Sequence, residues 1–309
     1  MPSDFFLISG GQLSSVEPDQ ATQDSLRSDP LEVVTLNVGD GEAIIVRRKR
    51  LALIIDGGAV VKKENKVLGK VLLSYLRNEG LRLRGILASH PHTDHLNALA
   101  TLLREGGKAL LAPAAKYFDN NEAYPNWLQQ TLIPELAALQ DRLEVVHVGE
   151  SAVLFSMGID VRATLFADGR YKPTPAYRSV FMAMRFRGLR FLFTGDAYTD
   201  YEESLLASSH AQSLPAHFLK ITHHGSSGGS GAPFLQKVRP LISYGSTSSD
   251  DSHELESDVR KRLKQFGEVY DTATVGGDIT LRVDGVPRVV DGKQGVLVEV
   301  ERLAPGRFL

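Results

Sequence analysis

The sequence predicts an α/β protein made of two β-sheets packed together with helices outside. Three observations lead there. Strand-rich blocks, Glu32 to Ile55 and Leu143 to Phe193, are interleaved with helical periodicities, the pattern of sheets covered by helices. The 309 residues are 42% hydrophobic and 23% charged, enough apolar material for a large buried core. From Glu202 onward, helix and strand signals alternate, and short strands run on to Val300. No internal repeat is present.

Residues 1 to 30 read as a loose leader. Gly10 to Pro30 is rich in Ser, Asp, Gln and Pro without an apolar period, and Phe5 to Ile8 is at most a stray strand. Residues 31 to 309 then form one domain. Glu32 to Val46 and Leu51 to Ile55 are strands, and Arg47-Arg48-Lys49-Arg50 between them is a solvated hairpin turn, with a basic patch for a polyanion as the lesser reading. Val67, Leu68, Val71, Leu72, Tyr75 and Leu76 recur with helical spacing, and Asn78-Glu79-Gly80 closes that helix. Gly85 to Ala88 is a strand that runs into a histidine cluster, and Leu96 to Leu103 is the next helix. Pro113 to Trp127 suits either a loop at the rim of a site or a plain connector. Val180–Phe186, Arg190–Thr194, His217–Thr222 and Leu241–Tyr244 read as strands. Helices fall near Glu202–Ala207, Phe234 and Leu255–Phe266.

Thirty-five Lys and Arg against 37 Asp and Glu leave a net charge of −2, which excludes nucleic-acid binding by bulk electrostatics alone. With no cysteine, disulfides, iron–sulfur clusters and thiolate ligands are excluded, so a metal here must sit on nitrogen and oxygen. Met1-Pro2-Ser3-Asp4-Phe5-Phe6 has no basic segment followed by an apolar core, and apolar runs such as Leu51 to Ile55 are too short to cross a bilayer. A cytoplasmic protein without a membrane partner is the expectation. The oligomeric state is not legible.

Ser89-His90-Pro91-His92-Thr93-Asp94-His95 gathers three imidazoles and a carboxylate directly after a strand. His90 and His92 can point the same way in extended backbone, with Asp94 and His95 facing a second point nearby. Capping a helix needs one such residue, whereas four suit Zn²⁺, Fe or Mn. The cluster resembles the HxHxDH signature of the metallo-β-lactamase superfamily, and other segments follow suit in order. Thr35-Leu36-Asn37-Val38-Gly39-Asp40-Gly41-Glu42-Ala43 resembles the first-strand pattern DVGxGDA. Ile54-Ile55-Asp56-Gly57-Gly58 resembles the LIDGG turn, and Phe193-Thr194-Gly195-Asp196 the TGD motif. Lys220-Ile221-Thr222-His223-His224-Gly225-Ser226 resembles the HHGS element of the branch related to the hydrolase domain of the ComEC DNA-uptake protein.

This resemblance, which covers roughly residues 32 to 283, implies an αβ/βα four-layer sandwich and two divalent metal ions, Zn with Mn or Fe as alternatives. His90 and His92 would hold the first ion, Asp94 and His95 the second, and Asp196 would bridge them. His224 would complete the second site, although His223 could exchange roles with it. The third histidine of the first site is missing, because the matching stretch reads Leu165-Phe166-Ala167-Asp168. His147, Asp168 or a water are the candidates, and the first site is expected to be the weaker. His223, Ser226 and His253 would face substrate, and Arg178 could bind an anion. The run Gly225 to Gly231 could offer backbone N–H groups to a phosphate or be a flexible loop.

Two divalent ions about 3.5–4 Å apart can lower the pKa of a shared water and stabilise developing negative charge, with Asp94 or Asp196 taking up the proton. The implied activity is a metal-dependent hydrolase acting on a phosphodiester: a nucleotide, single-stranded nucleic acid or other small anion. A lactone or acyl hydrolase of the same fold, or a decayed binding module, are the alternatives. His92 in place of a glutamate argues against a flavodiiron oxygen reductase.

Overall fold

Strand ends that converge on one edge set up the site in the computed structural model of the protein. It describes residues 3–39, 41–58, 65–90, 92–104, 109–111, 138, 143–145, 152–156, 161–166, 179–248 and 254–304. Seventeen strands fall in two sheets: β1 (Ser3–Ser9), β2 (Gln12–Ser15), β3 (Leu31–Thr35), β4 (Ile44–Arg48), β5 (Leu51–Ile55), β6 (Arg82–Ala88), β7 (Ala109–Leu111), β8 (Leu143–Val145), β9 (Ala152–Ser156), β10 (Val161–Phe166), β11 (Phe181–Phe186), β12 (Leu189–Phe193), β13 (Phe218–Lys220), β14 (Ile242–Gly245), β15 (Glu268–Asp271), β16 (Ile279–Val290) and β17 (Lys293–Arg302). The first sheet runs β2-β1-β17-β16-β3-β4-β5-β6-β7-β8, and the second β15-β14-β13-β12-β11-β10-β9. Each changes from antiparallel to parallel pairing, the first beyond β5 and the second beyond β12.

Alternation along the strands makes the layers. On β11 and β12, Met182, Met184, Phe186, Leu189, Phe191 and Phe193 share one core with Val33, Ile45 and Leu53 of the other sheet. The intervening Phe181 and Leu192 face a second core. This is the two-residue period of a sheet buried on both faces. Helices α1 (Gln20–Ser28), α2 (Asn65–Asn78), α3 (Thr93–Leu96) and α4 (Leu99–Arg104) belong to the first half. Leu72 and Leu76 of α2 and Leu99 and Leu102 of α4 pack on the first sheet. Helices α5 (Thr199–Leu206), α6 (Ala232–Val238) and α7 (Ser257–Lys264) cover the second through Tyr201, Phe234 and Val259. The result is the expected α/β sandwich.

The segment expected to be a loose leader is instead β1, β2 and α1. β1 pairs with β17 from Ser3↔Glu301 to Ile8↔Val296. Leu7, Val16 and Leu26 form a small core with Val290 and Leu297. Asp19 caps α1 by accepting from the Thr22 N–H at 2.8 Å, and Arg27 pairs with Glu299. The strand that receives β1 lies nearly three hundred residues away in sequence, beyond the reach of any local pattern.

The arginine run is likewise only half a turn. Lys49, with φ of 53°, and Arg50 make the turn, while Arg47 and Arg48 lie in β4. Arg47 pairs with Glu32 and Glu79 and donates to Tyr75, and the buried Arg48 pairs with Asp29 at 2.7 Å. Both cations are spent inside the fold. The helix expected over Leu96 to Leu103 is broken at Asn97-Ala98, because the Gly57 carbonyl captures the Ala98 N–H at 2.8 Å. Among the described residues, no helix is long and apolar enough to cross a membrane.

Candidate metal centre

Five loops meet where the strands end. β5 leads into Asp56-Gly57-Gly58, β6 into Ser89-His90, β12 into Asp196, β13 into His223-His224 and β14 into Ser246. Ligand sites collect at the carboxyl ends of parallel strands because loops there converge without disturbing the sheet. Gly58 shows how tight the convergence is. A Cβ there would lie 1.9 Å from the Asp94 carbonyl carbon, so only glycine lets the β5 turn touch the histidine loop. The Gly57 N–H donates to the His95 carbonyl at 2.9 Å, and the Glu42 N–H to that of Asp94 at 3.0 Å.

Two sets of ligand atoms result, each gathered within 4.8 Å: Asp94, His95, Asp196 and His224, and His90, His92 and Asp196. Asp196 belongs to both. Its Oδ2 lies 3.1 Å from His95 Nε2, 3.3 Å from His224 Nε2 and 3.7 Å from His90 Nε2. His90 Nε2 and His92 Nδ1 are 3.0 Å apart. Asp94 Oδ2 is 3.5 Å from His95 Nε2 and 3.6 Å from His224 Nε2. The structure therefore brings together all six residues that sequence spacing and resemblance marked out as ligands, and it puts His224 rather than His223 in the second set.

The donor set fits divalent cations. Imidazole and carboxylate lone pairs converge, and Asp196 Oδ1 is buried without a hydrogen bond. Charge points the same way. Burial disfavours ionised Asp196, yet His95, His224, His90 and Lys220 hold its carboxyl far below the usual carboxylate range. Asp94 is depressed likewise by His95 and His224 against the pull of burial. Burial pushes His90 and His92 down, keeping their rings neutral, as metal ligation requires. The carboxylates outweigh burial at His95, and at His224 they raise the pKa to about 9. The pocket thus attracts positive charge.

Sequence reasoning gave no role to the groups that orient the cluster. Asp56, at φ of 57°, accepts from Ser89 N and Oγ and from His95 Nδ1, each at 2.7 Å. A carboxylate behind an imidazole fixes its tautomer and aims its other nitrogen. The buried Lys220 lies 2.7 Å from Glu42 Oε2, donates to the Gly195 carbonyl at 3.0 Å and sits 3.5 Å from Asp196 Oδ1. Ser179 Oγ accepts from the Asp196 N–H at 3.0 Å, and the Ser246 carbonyl lies 3.2 Å from His224 Nδ1. Asp56, Glu42 and Lys220 all sit inside recognised motifs, so their signal was present without a mechanism.

His223 and His224 both have positive φ, 51° and 52°, a strained backbone for non-glycine residues. The His223 ring lies edge-on to Tyr198, with centroids 4.8 Å apart, and belongs to neither ligand set. Ser226 is half-buried beside it, and its Oγ takes the Gly228 N–H at 3.4 Å. The rest of the Gly/Ser run is also committed. The Ser226 and Gly229 N–H groups go to backbone carbonyls, Ser227 N–H to Glu256, and those of Ser230 and Gly231 to Glu202, each at 2.8 Å. These N–H groups are therefore not offered to a phosphate. Helix α7 carries a basic stretch, Arg260 to Arg262. Arg260 pairs with Asp271, Arg262 donates to the Ser230 and Gly229 carbonyls, and Lys261 sits by Asp258. His147, Asp168, Arg178 and His253 lie outside the described residues, as does the stretch from Pro113 to Trp127.

The chain is 26% identical over 234 residues to ComE operon protein 3 of Bacillus subtilis, covering 69% of this chain and 28% of that protein. It is 23% identical over 262 residues to Recombination protein 2 of Haemophilus influenzae, covering 80% of this chain and 28% of that one. It therefore spans little more than a quarter of the length of these two relatives. Among solved structures, it is similar to the metallo-β-lactamase fold protein YhfI of Bacillus subtilis, with 16% identity, TM-score 0.48 and coverage of 79% and 96%. It is also similar to human tRNase Z, short form, with 14% identity, TM-score 0.39 and coverage of 72% and 97%. Residues 36–244 match the family description of the metallo-β-lactamase superfamily, and the chain belongs to that superfamily.

Proposed function

We propose that the protein is a metal-dependent phosphodiesterase. The observation that carries this reading is the double ligand set sharing Asp196 at the meeting edge of the two sheets. Two ions of Zn²⁺, or of Mn²⁺ or Fe, would be held by His90, His92 and Asp196 and by Asp94, His95, Asp196 and His224. Ions bound there would acidify water and offset the charge that builds up on a phosphoryl group. Asp56 aims His95, and Lys220 keeps Asp196 ionised from the far side. Asp94, somewhat more exposed than Asp196, would take up the proton from a water that such ions acidify. His223, braced by Tyr198, and Ser226 would face the substrate. Resemblance to the ComEC-like branch favours a phosphodiester, either a nucleotide or single-stranded nucleic acid, over an acyl ester.

The test is hydrolysis of bis(p-nitrophenyl) phosphate by protein loaded with Zn²⁺ or Mn²⁺, beside Asp196→Ala. Metal-dependent activity that falls to background in the variant is the expected result. A protein that binds metal but cleaves lactones and leaves phosphodiesters intact would sink the reading.

A further inference from the structure

The parallel strands β12 to β15 have two ends, and the metal centre uses only one. At the other end, where these strands begin, lies a cavity of about 640 Å³, a size suited to a small organic ligand. Arg190 is the second residue of β12, His217 precedes β13, Leu241 precedes β14, and Phe266 lies just before β15. Lys237 and Arg239, at the end of α6, complete the wall, and the Gly10-Gly11 turn of the β1–β2 hairpin closes over it.

The chemistry of this wall is one-sided. Arg190, Lys237 and Arg239 have no ion-pair partner among the described residues, and no carboxylate is among the described residues lining the cavity. Six arginines elsewhere in the fold are instead tied to acids: Arg27, Arg47, Arg48, Arg260, Arg282 and Arg288. Arg190 Nε is buried with no hydrogen-bond acceptor, a donor left unsatisfied. The His217 ring is a donor too. Its Nδ1 accepts from the Arg190 N–H at 3.1 Å, which leaves the proton of the neutral ring on Nε2. Three cations and a neutral donor over an apolar floor of Leu241, Val238 and Phe266 match a phosphate carrying an aromatic or apolar body.

We propose that this cavity binds a phosphomonoester of nucleotide size, held through its phosphate by Arg190, Arg239 and Lys237. The site is separate from the metal centre and does not depend on the reaction carried out there. The phosphate could belong to a free nucleotide or to the 5′ end of a strand, and the binding measurement separates these.

Calorimetric titration of the metal-loaded full chain with AMP tests it, with inorganic phosphate and 5′-phosphorylated hexathymidylate as further probes. One AMP per chain is expected, bound equally by wild type and by Asp196→Asn. Binding should weaken about tenfold in Arg190→Gln/Arg239→Asn, since charge-assisted contacts are lost. Asparagine tolerates the positive φ of position 239. Lys237→Gln, at an exposed helix position, should weaken binding a few-fold and guards against misfolding of the double variant. Inorganic phosphate should bind more weakly than AMP. An oligonucleotide that binds as tightly as AMP and is weakened by the same variants assigns the site to strand ends, whereas AMP alone assigns it to free nucleotides. No AMP binding, or binding lost in Asp196→Asn but kept in the arginine variants, overturns the proposal.

Discussion

Asp56 is the residue whose replacement discriminates best between packing and ligand orientation. Its carboxylate takes three donors at 2.7 Å and touches no other member of the cluster than His95. Asn at this position keeps the shape but turns an N–H₂ towards one of those donors. The folded structure should survive Asp56→Asn, while affinity for a metal held by Asp94, His95, Asp196 and His224 drops about 10–100-fold. Competition against a chromophoric chelator measures this, and unchanged affinity would refute the orienting role. At this scale, much was readable in advance. HxHxDH is legible because ligand chemistry depends on side-chain type and spacing, and both are written in the residues. Asp56 was quoted as part of a motif, yet its task depends on Ser89 and His95 arriving from another strand. No local pattern announces such a meeting.

Helix α5 and the Gly/Ser loop act as one element through Glu202. The loop looks flexible in sequence, but two of its N–H groups end on that single buried carboxylate. Burial pushes the Glu202 carboxyl from the ordinary 4.5 up to about 8, although the Gly231 and Ser230 donors pull it down. The folded chain therefore holds a proton that the unfolded chain releases between these values. Its contribution to stability is complete below about pH 4.5 and is lost as pH rises through 8. Urea unfolding at pH 5 and pH 8.5 should show wild type losing stability relative to Glu202→Gln at the higher pH. A difference between the two proteins that is independent of pH would contradict this. Elements were legible where periodicity was strong, as in α2, β11 and β12. They were not legible where a tertiary contact overrode the pattern, as Gly57 does in splitting α3 from α4.

Across the molecule, the two halves supply complementary shares of one centre. His90, His92, Asp94 and His95 come from the first sheet, Asp196 and His224 from the second. Any ion bound by both halves clamps the sheets together, because it binds the folded state and not the separated strands. Loading with Zn²⁺ should raise Tm, chelation should reverse the rise, and Asp196→Ala should abolish it. Differential scanning calorimetry reads all three, and an equal Tm with and without metal would show that the sheets hold without help. The sandwich itself was legible because motifs from both sheets occur in the right order along the chain. The docking of the β1–β2 hairpin was not, since β17, the strand that receives β1, lies nearly three hundred residues away.

The pairing of Ser3 with Glu301 has a consequence for biosynthesis. β1 leaves the ribosome almost three hundred residues before the strand that receives it, and β3 likewise waits for β16. Phe6 and Ile8 therefore lack the β17 side of their core until that strand emerges. The first sheet closes only after β17 has been made, so β1 and β3 cannot complete their pairing before β16 and β17 emerge.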